Sequence, residues 1–223
     1  MDPFDIFGAS GEELLAISEF YRAYPEKLPE VERIALLLTI GTMDDTYDGM
    51  QLAKAMYDRE QSIEPLVLYA STLKRLEYID DVTYKNLQSF ISVTENKKIK
   101  AVLLLLTAYH YYNGKESPQE YLNIINQSIE LDETLVMGYW ELHWYYKSNN
   151  EPEKAIPHLI KAISFVEKIF DPSDRNRMRV EYPDFFSFES FYNRNVAMRH
   201  LAKHNYQHLV NSLNKLTLNL QNN

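Results

Sequence analysis

Residues Tyr111 to Ile129 read YYNGKESPQEYLNIINQSI, and 34 residues further on Tyr145 to Ile163 read YYKSNNEPEKAIPHLIKAI. Few letters are identical, but a tyrosine pair, a polar break, a proline and the apolar spacing recur at the same places. Ser117-Pro118-Gln119-Glu120 is a helix start: a hydroxyl stands before the first turn, proline sits where its missing N–H costs nothing, and Glu can reach back to the backbone. Asn150-Glu151-Pro152-Glu153 repeats the signal. After each start, apolar residues follow at three and four spacing, Tyr121, Leu122, Ile125 and Ile129 in one copy and Ala155, Ile156, Leu159 and Ile163 in the other. Each stretch therefore predicts a helix with one buried face.

The same ruler extends upstream. From Tyr146 and Tyr112 it lands on Tyr78, and one unit earlier on the stretch LTIGTMDDTYDGMQLAKAMYDREQSIEPL. A period of this length means stacked helical units, none of which can bury its apolar face alone. With six glycines in 223 residues and no long alternation of apolar and polar residues, the chain reads as all-α.

These units resemble the tetratricopeptide repeat family, whose signature runs W-x2-L-G-x2-Y, then A-x3-F, a small residue and P. In the unit from Ile34 to Val67 the matching residues are Leu37, Ile40, Gly41, Ala53, Tyr57 and Pro65, with Asp44 in place of the tyrosine. From Val136 to Ile169 they are Tyr139, Leu142, Tyr146, Ala155, Leu159 and Ala162, with His143 in place of the glycine and Glu167 of the proline. Val102 to Leu135 offers Leu105, Ala108, Tyr112, Ile125 and Ser128, while Leu68 to Ala101 keeps little beyond Tyr78 and Leu87. The resemblance implies a right-handed α-solenoid of antiparallel helix pairs. In that frame residues 1–33 form a capping region, 34–169 four units, 170–189 an inserted segment and 190–223 a last helix pair. Glu12 to Tyr24 reads as one amphipathic helix with Leu14, Leu15, Ile17, Phe20 and Tyr21 in its stripe. Gly41, Ala53 and Ala162 are the expected close helix contacts, and Pro157 should bend its helix.

Composition narrows the function. All of the formal charge of -9 sits in residues 1–66, which hold fourteen acidic and five basic side chains; the remainder holds eighteen of each. This balance argues against a protein that neutralises nucleic-acid phosphates or clings to an anionic membrane, and it allows a basic partner. No cysteine is present, so disulfides, thiolate metal sites and cysteine nucleophiles are excluded. The start MDPFDIFGASGEELL lacks the basic residues of a secretory signal. The longest apolar run, Ala101 to Leu106, is far short of the ~20 residues that span a bilayer. The expectation is a soluble cytoplasmic protein.

Chemistry-bearing motifs are sparse. His200, His204 and His208 are spaced by four, as metal ligands on one helix face would be, but the repeat frame puts His204 in a turn and spreads them. A metal- or small-ligand-dependent enzyme or sensor using that region is the alternative reading. Asp44, Asp45 and Asp48 lack the rest of a calcium loop and read as a helix end and its solvated turn. No phosphate loop, nucleophile elbow or HExxH appears, so no cofactor and no catalytic residue are assigned.

In the family resembled, the first helices of the units line a concave groove. Carried onto this chain, that face presents Leu103, Leu106 and His110, then Met137, Trp140 and Trp144, with Lys147 and Arg194 the nearby cations. Family members that clamp acidic chaperone tails use Lys, Asn and Arg there, so this largely apolar face argues against that role. The sequence therefore predicts a non-enzymatic module that binds a partner protein or peptide in its groove. One version is a small inhibitor such as an immunity protein, or a chaperone. Trp140 and Trp144 share a helix face, which fits an open groove or a packed core.

Overall fold

A computed structural model describes residues 16, 19–20, 22–27, 30–40, 43–112, 118–171, 174–178, 210–211 and 213–218. Eight helices follow one another: α1 (Glu30–Ile40), α2 (Met43–Glu60), α3 (Ile63–Arg75), α4 (Asp81–Val93), α5 (Lys97–Ala108), α6 (Pro118–Leu131), α7 (Val136–Ser148) and α8 (Pro152–Ile169). Each packs on the next, and α3 also touches α1 and α5. The described chain is helical apart from a short antiparallel ribbon of β1 (Phe170–Asp171) and β2 (Asp174–Met178). No described helix is long and apolar enough to cross a membrane.

Local chemistry explains the boundaries. Pro118 and Pro152 open α6 and α8, as the start signals require. Asp80 caps α4 by accepting from the N–H groups of Val82 and Thr83 at 3.0 and 2.9 Å, and Asn96 caps α5 in the same way through Lys98 and Ile99. Three helix ends turn through left-handed residues that are not glycine: Gln61, Glu77 and Asn150. At Asn150 the N–H bonds back to the Lys147 carbonyl while the Glu151 N–H reaches that of Tyr146, so Asn150 closes α7. Glu151, not Asn150, then supplies the carbonyl that starts α8.

One expectation about the aspartates is corrected. Asp44 and Asp45 begin α2 instead of ending a helix, because a carboxylate is favoured where the first-turn N–H groups are unpaired. Asp45 is buried and paired with Arg22, which ties the chain before α1 to α2. Helix α8 runs without interruption through Pro157, whose ring is exposed. Of the expected N-terminal stripe, Phe20 is exposed and packs on Tyr24 at 5.2 Å. Leu14, Leu15, Ile17 and Tyr21 lie outside the described residues, as does Gly41.

The main core runs from α2 to α8 and is centred on α5. Ala101 to Ala108 are all buried except the half-buried Leu104, so this helix is apolar on every side, and α3, α4 and α6 enclose it. A second cluster joins Ile34 and Leu38 of α1 to Ala53, Met56 and Leu68, and Arg75 of α3 donates to the Leu38 carbonyl at 2.8 Å. Ala53 and Ala162 are buried in these cores.

Of the two described glycines with close neighbours, the tighter is one that the repeat signature did not select. A methyl group at Gly138 of α7 would stand 2.6 Å from Ile129 Cγ1 of α6, whereas one at Gly49 would meet Leu37 Cβ at an ordinary 3.4 Å. The two substitutions should therefore differ in sign. Gly49→Ala is expected to stabilise by ~0.5–1 kcal/mol through helix propensity, and Gly138→Ala to destabilise by ~1 kcal/mol or more through overpacking. Urea denaturation of both variants tests this, and two stabilised proteins would mean that α6 and α7 are not in close contact at Gly138.

Candidate functional site

Helix α7 is mostly apolar, yet its second turn carries Glu141, which is buried. A lone carboxylate there would be costly, so its partners decide how the neighbouring helices meet. Lys74, in the last turn of α3, places Nζ 2.9 Å from Glu141 Oε1. The hydroxyls of Tyr109, at the end of α5, and Tyr121, in α6, both donate to Oε2, the latter at 3.1 Å. The Lys74 ammonium also lies 4.8 Å from the Tyr109 ring centre. With side-chain exposures of 13% for Lys74 and 7% for Glu141, the pair is well shielded from water. Burial first, and then the charge of Glu141, push the Tyr121 phenol far above its usual range, so it remains a donor at neutral pH.

Beside this cluster lies a cleft of about 280 Å³ lined by Tyr111, Tyr112, Pro118, Tyr121, Tyr145, Ser148 and Asn149. Tyr121 belongs to both features, since its hydroxyl faces Glu141 while its ring forms cleft wall. Its ring centre is 5.3 Å from that of Tyr112 and 5.9 Å from that of Tyr145. Tyr111 is held from behind: its hydroxyl is 2.9 Å from that of Tyr84, and the Tyr84 ring stacks on His110 at 4.4 Å. Burial, and then the charges of Glu77 and Glu141, raise the Tyr112 pKa. Among the described lining residues, none carries a charge. Chemically the cleft offers ring faces and a few hydroxyl and amide groups, which suits holding a ligand.

The residues expected to line a groove are dispersed. Leu103 and Leu106 are 0% exposed and Met137 is also buried, because α5 is enclosed by other helices and the face assumed to be open is packed. His110 stacks on Tyr84 and places Nδ1 3.1 Å from the Ile79 carbonyl, so it supports Tyr111 from behind. Trp140 is half-buried and packs against Leu159 and Ile163. Trp144 is 40% exposed, edge-on to Trp140 at 5.6 Å and covered on one face by Lys147 at 4.2 Å. His143 is buried beneath both tryptophans; burial lowers its pKa to about 4, so it is neutral at neutral pH. Arg194, His200, His204 and His208 lie outside the described residues. Among the described residues, no group of three His, Asp or Glu side chains could hold a metal ion.

The cleft tyrosines went unrecognised as a site, although they were the residues that fixed the repeat period. Tyr111, Tyr112 and Tyr145 come from the two tyrosine pairs, and the 34-residue spacing brings the ends of α5 and α7 to one place. Glu141 also left a signal, as the one acidic residue in the run from Val136 to Tyr146. Comparison with known families, characterised proteins and solved structures finds no match to this chain.

Substitution of the cluster should expose its coupling. Lys74→Met leaves a buried carboxylate without its countercharge and is expected to cost ~3–5 kcal/mol. Combined with Glu141→Gln, the loss should be smaller than the sum of the two single losses by ~1–3 kcal/mol. Denaturation of the three variants measures this, and additive losses would mean that the two side chains are not paired.

Proposed function

We propose that this chain is a tetratricopeptide-like helical-repeat protein, a right-handed solenoid of antiparallel helix pairs, that binds a segment of a partner protein and catalyses no reaction. The single observation that carries the binding reading is the tyrosine-lined cleft between the ends of α5 and α7. Tyrosine supplies large contact area with few rotatable bonds and a polar tip, which is why it is enriched at binding surfaces. The repeat reading is supported by the eight helices falling two to each 34-residue unit, with the first helices α1, α3 and α5 touching in succession. It is further supported by small residues at helix contacts, Ala53, Gly138 and Ala162.

The binding face proposed from sequence shifts accordingly. Leu103, Leu106 and Met137 belong to the core, and the partner's contacts move to Tyr111, Tyr112 and Tyr145. The acidic balance of the chain favours a protein partner over nucleic acid, and a cytoplasmic location fits the absence of cysteine. A role as small inhibitor, immunity protein or chaperone is the version that this cleft serves most simply.

Photo-crosslinking in the native cell tests the proposal. A benzophenone amino acid placed at Tyr112 or Ser148 is expected to trap one discrete partner, and the same group at the exposed Val82 or Val93 is not. Equal adducts at all four positions, or none at the cleft positions, would overturn the assignment of the cleft as the partner's seat.

A further inference from the structure

Resting on the binding reading above, we infer that the tyrosine cleft receives a basic side chain, a lysine or arginine carried by the partner polypeptide. The occupant follows from size and from charge. At about 280 Å³ the cleft has room for one long side chain. The rings of Tyr112, Tyr121 and Tyr145 form its wall, and an aromatic face attracts a cation.

The surroundings have the matching sign. Ser148 and Asn149 put the carbonyl end of α7 at the cleft, and Tyr111 and Tyr112 follow the carbonyl end of α5; both helix ends carry partial negative charge. Among the described residues, the start of α6 opposes them weakly, since Pro118 has no N–H to offer and Glu120 lies in the first turn. Glu77 and Glu141 both act on the Tyr112 phenol. Among the described residues, three nearby lysines are engaged elsewhere: Lys74 with Glu141, Lys147 over Trp144, and Lys154 with Glu151 at 2.8 Å. The same protein already stacks lysines on aromatic rings at Tyr109, Tyr139, Tyr146 and Trp144, whereas the cleft rings Tyr112, Tyr121 and Tyr145 line space large enough for one from outside. A net charge of -9 would assist the approach of such a partner.

The test uses the full chain with carbon-13-labelled tyrosine rings, followed by NMR during titration with N-acetyl-arginine amide and N-acetyl-lysine amide. N-acetyl-citrulline amide and N-acetyl-norleucine amide serve as neutral counterparts of the same shape. The basic probes are expected to shift the Tyr112 and Tyr145 rings saturably and to bind at least ~5-fold more tightly than their neutral counterparts, with the difference shrinking as salt is raised. Ser148 is exposed at the mouth, so its replacement leaves the core untouched. Ser148→Glu should tighten arginine-amide binding by ~2- to 5-fold and Ser148→Lys should weaken it by as much. Equal binding of neutral and basic probes, a response at rings outside the cleft only, or no response to any probe would overturn the inference. If crosslinking at Tyr112 and Ser148 still traps a partner in that event, the binding reading survives and only the basic side chain is lost; if both fail, the reading falls with it.

Discussion

One buried carboxylate constrains how the middle of this molecule is assembled. The buried oxygens of Glu141 need partners, and these come from three other parts of the chain: Lys74 at the end of α3, Tyr109 at the end of α5 and Tyr121 in α6. Helices packed through Leu and Ile alone have several nearly equivalent ways to slide past one another. A shared carboxylate that must meet an ammonium and two phenols leaves far fewer. The register of α3, α5, α6 and α7 is therefore tied to a single point, and the cleft is the space left beside that point once Tyr121 has been drawn inward.

The cleft and the core are thus two sides of one arrangement. The Tyr121 ring forms cleft wall because its hydroxyl is held by Glu141, and Tyr111 is fixed because Tyr84 and His110 stand behind it. Such a wall is already ordered before a ligand arrives, which lowers the entropic cost of binding. Gly138, one turn before Glu141 on the same face of α7, contributes as well, because its lack of a side chain lets α6 approach closely beside the Tyr121–Glu141 bond.

Much of the fold was legible because it depends on local signals. The prolines at 118 and 152 mark helix starts through their missing N–H, and apolar residues at three and four spacing mark the buried faces. The helix ends were harder to read. Gln61, Glu77 and Asn150 take the left-handed turn that glycine usually marks, stabilised by backbone hydrogen bonds that no sequence pattern announces. For the site, the assumption that Leu103 and Leu106 face an open groove failed because periodicity reveals that a face is apolar but not which neighbour covers it. Trp140 illustrates the same limit, being packed against Leu159 and Ile163 of the next helix. The tyrosine pairs served to measure the repeat, while their second role depended on α5 and α7 ending side by side, which spacing implied and only three-dimensional packing could locate.

The claim beneath both the fold and the site is that Tyr121 donates its hydroxyl proton to Glu141 in an environment closed to water. Proton NMR of the free protein examines that bond directly. A phenol buried and bonded to a carboxylate should give a slowly exchanging hydroxyl resonance, displaced downfield, with cross-peaks to the Tyr121 ring, and Glu141→Leu should abolish it. If no Tyr121 hydroxyl resonance is seen at any temperature in a folded sample, or if the signal persists unchanged in Glu141→Leu, the carboxylate does not organise the four helices as described.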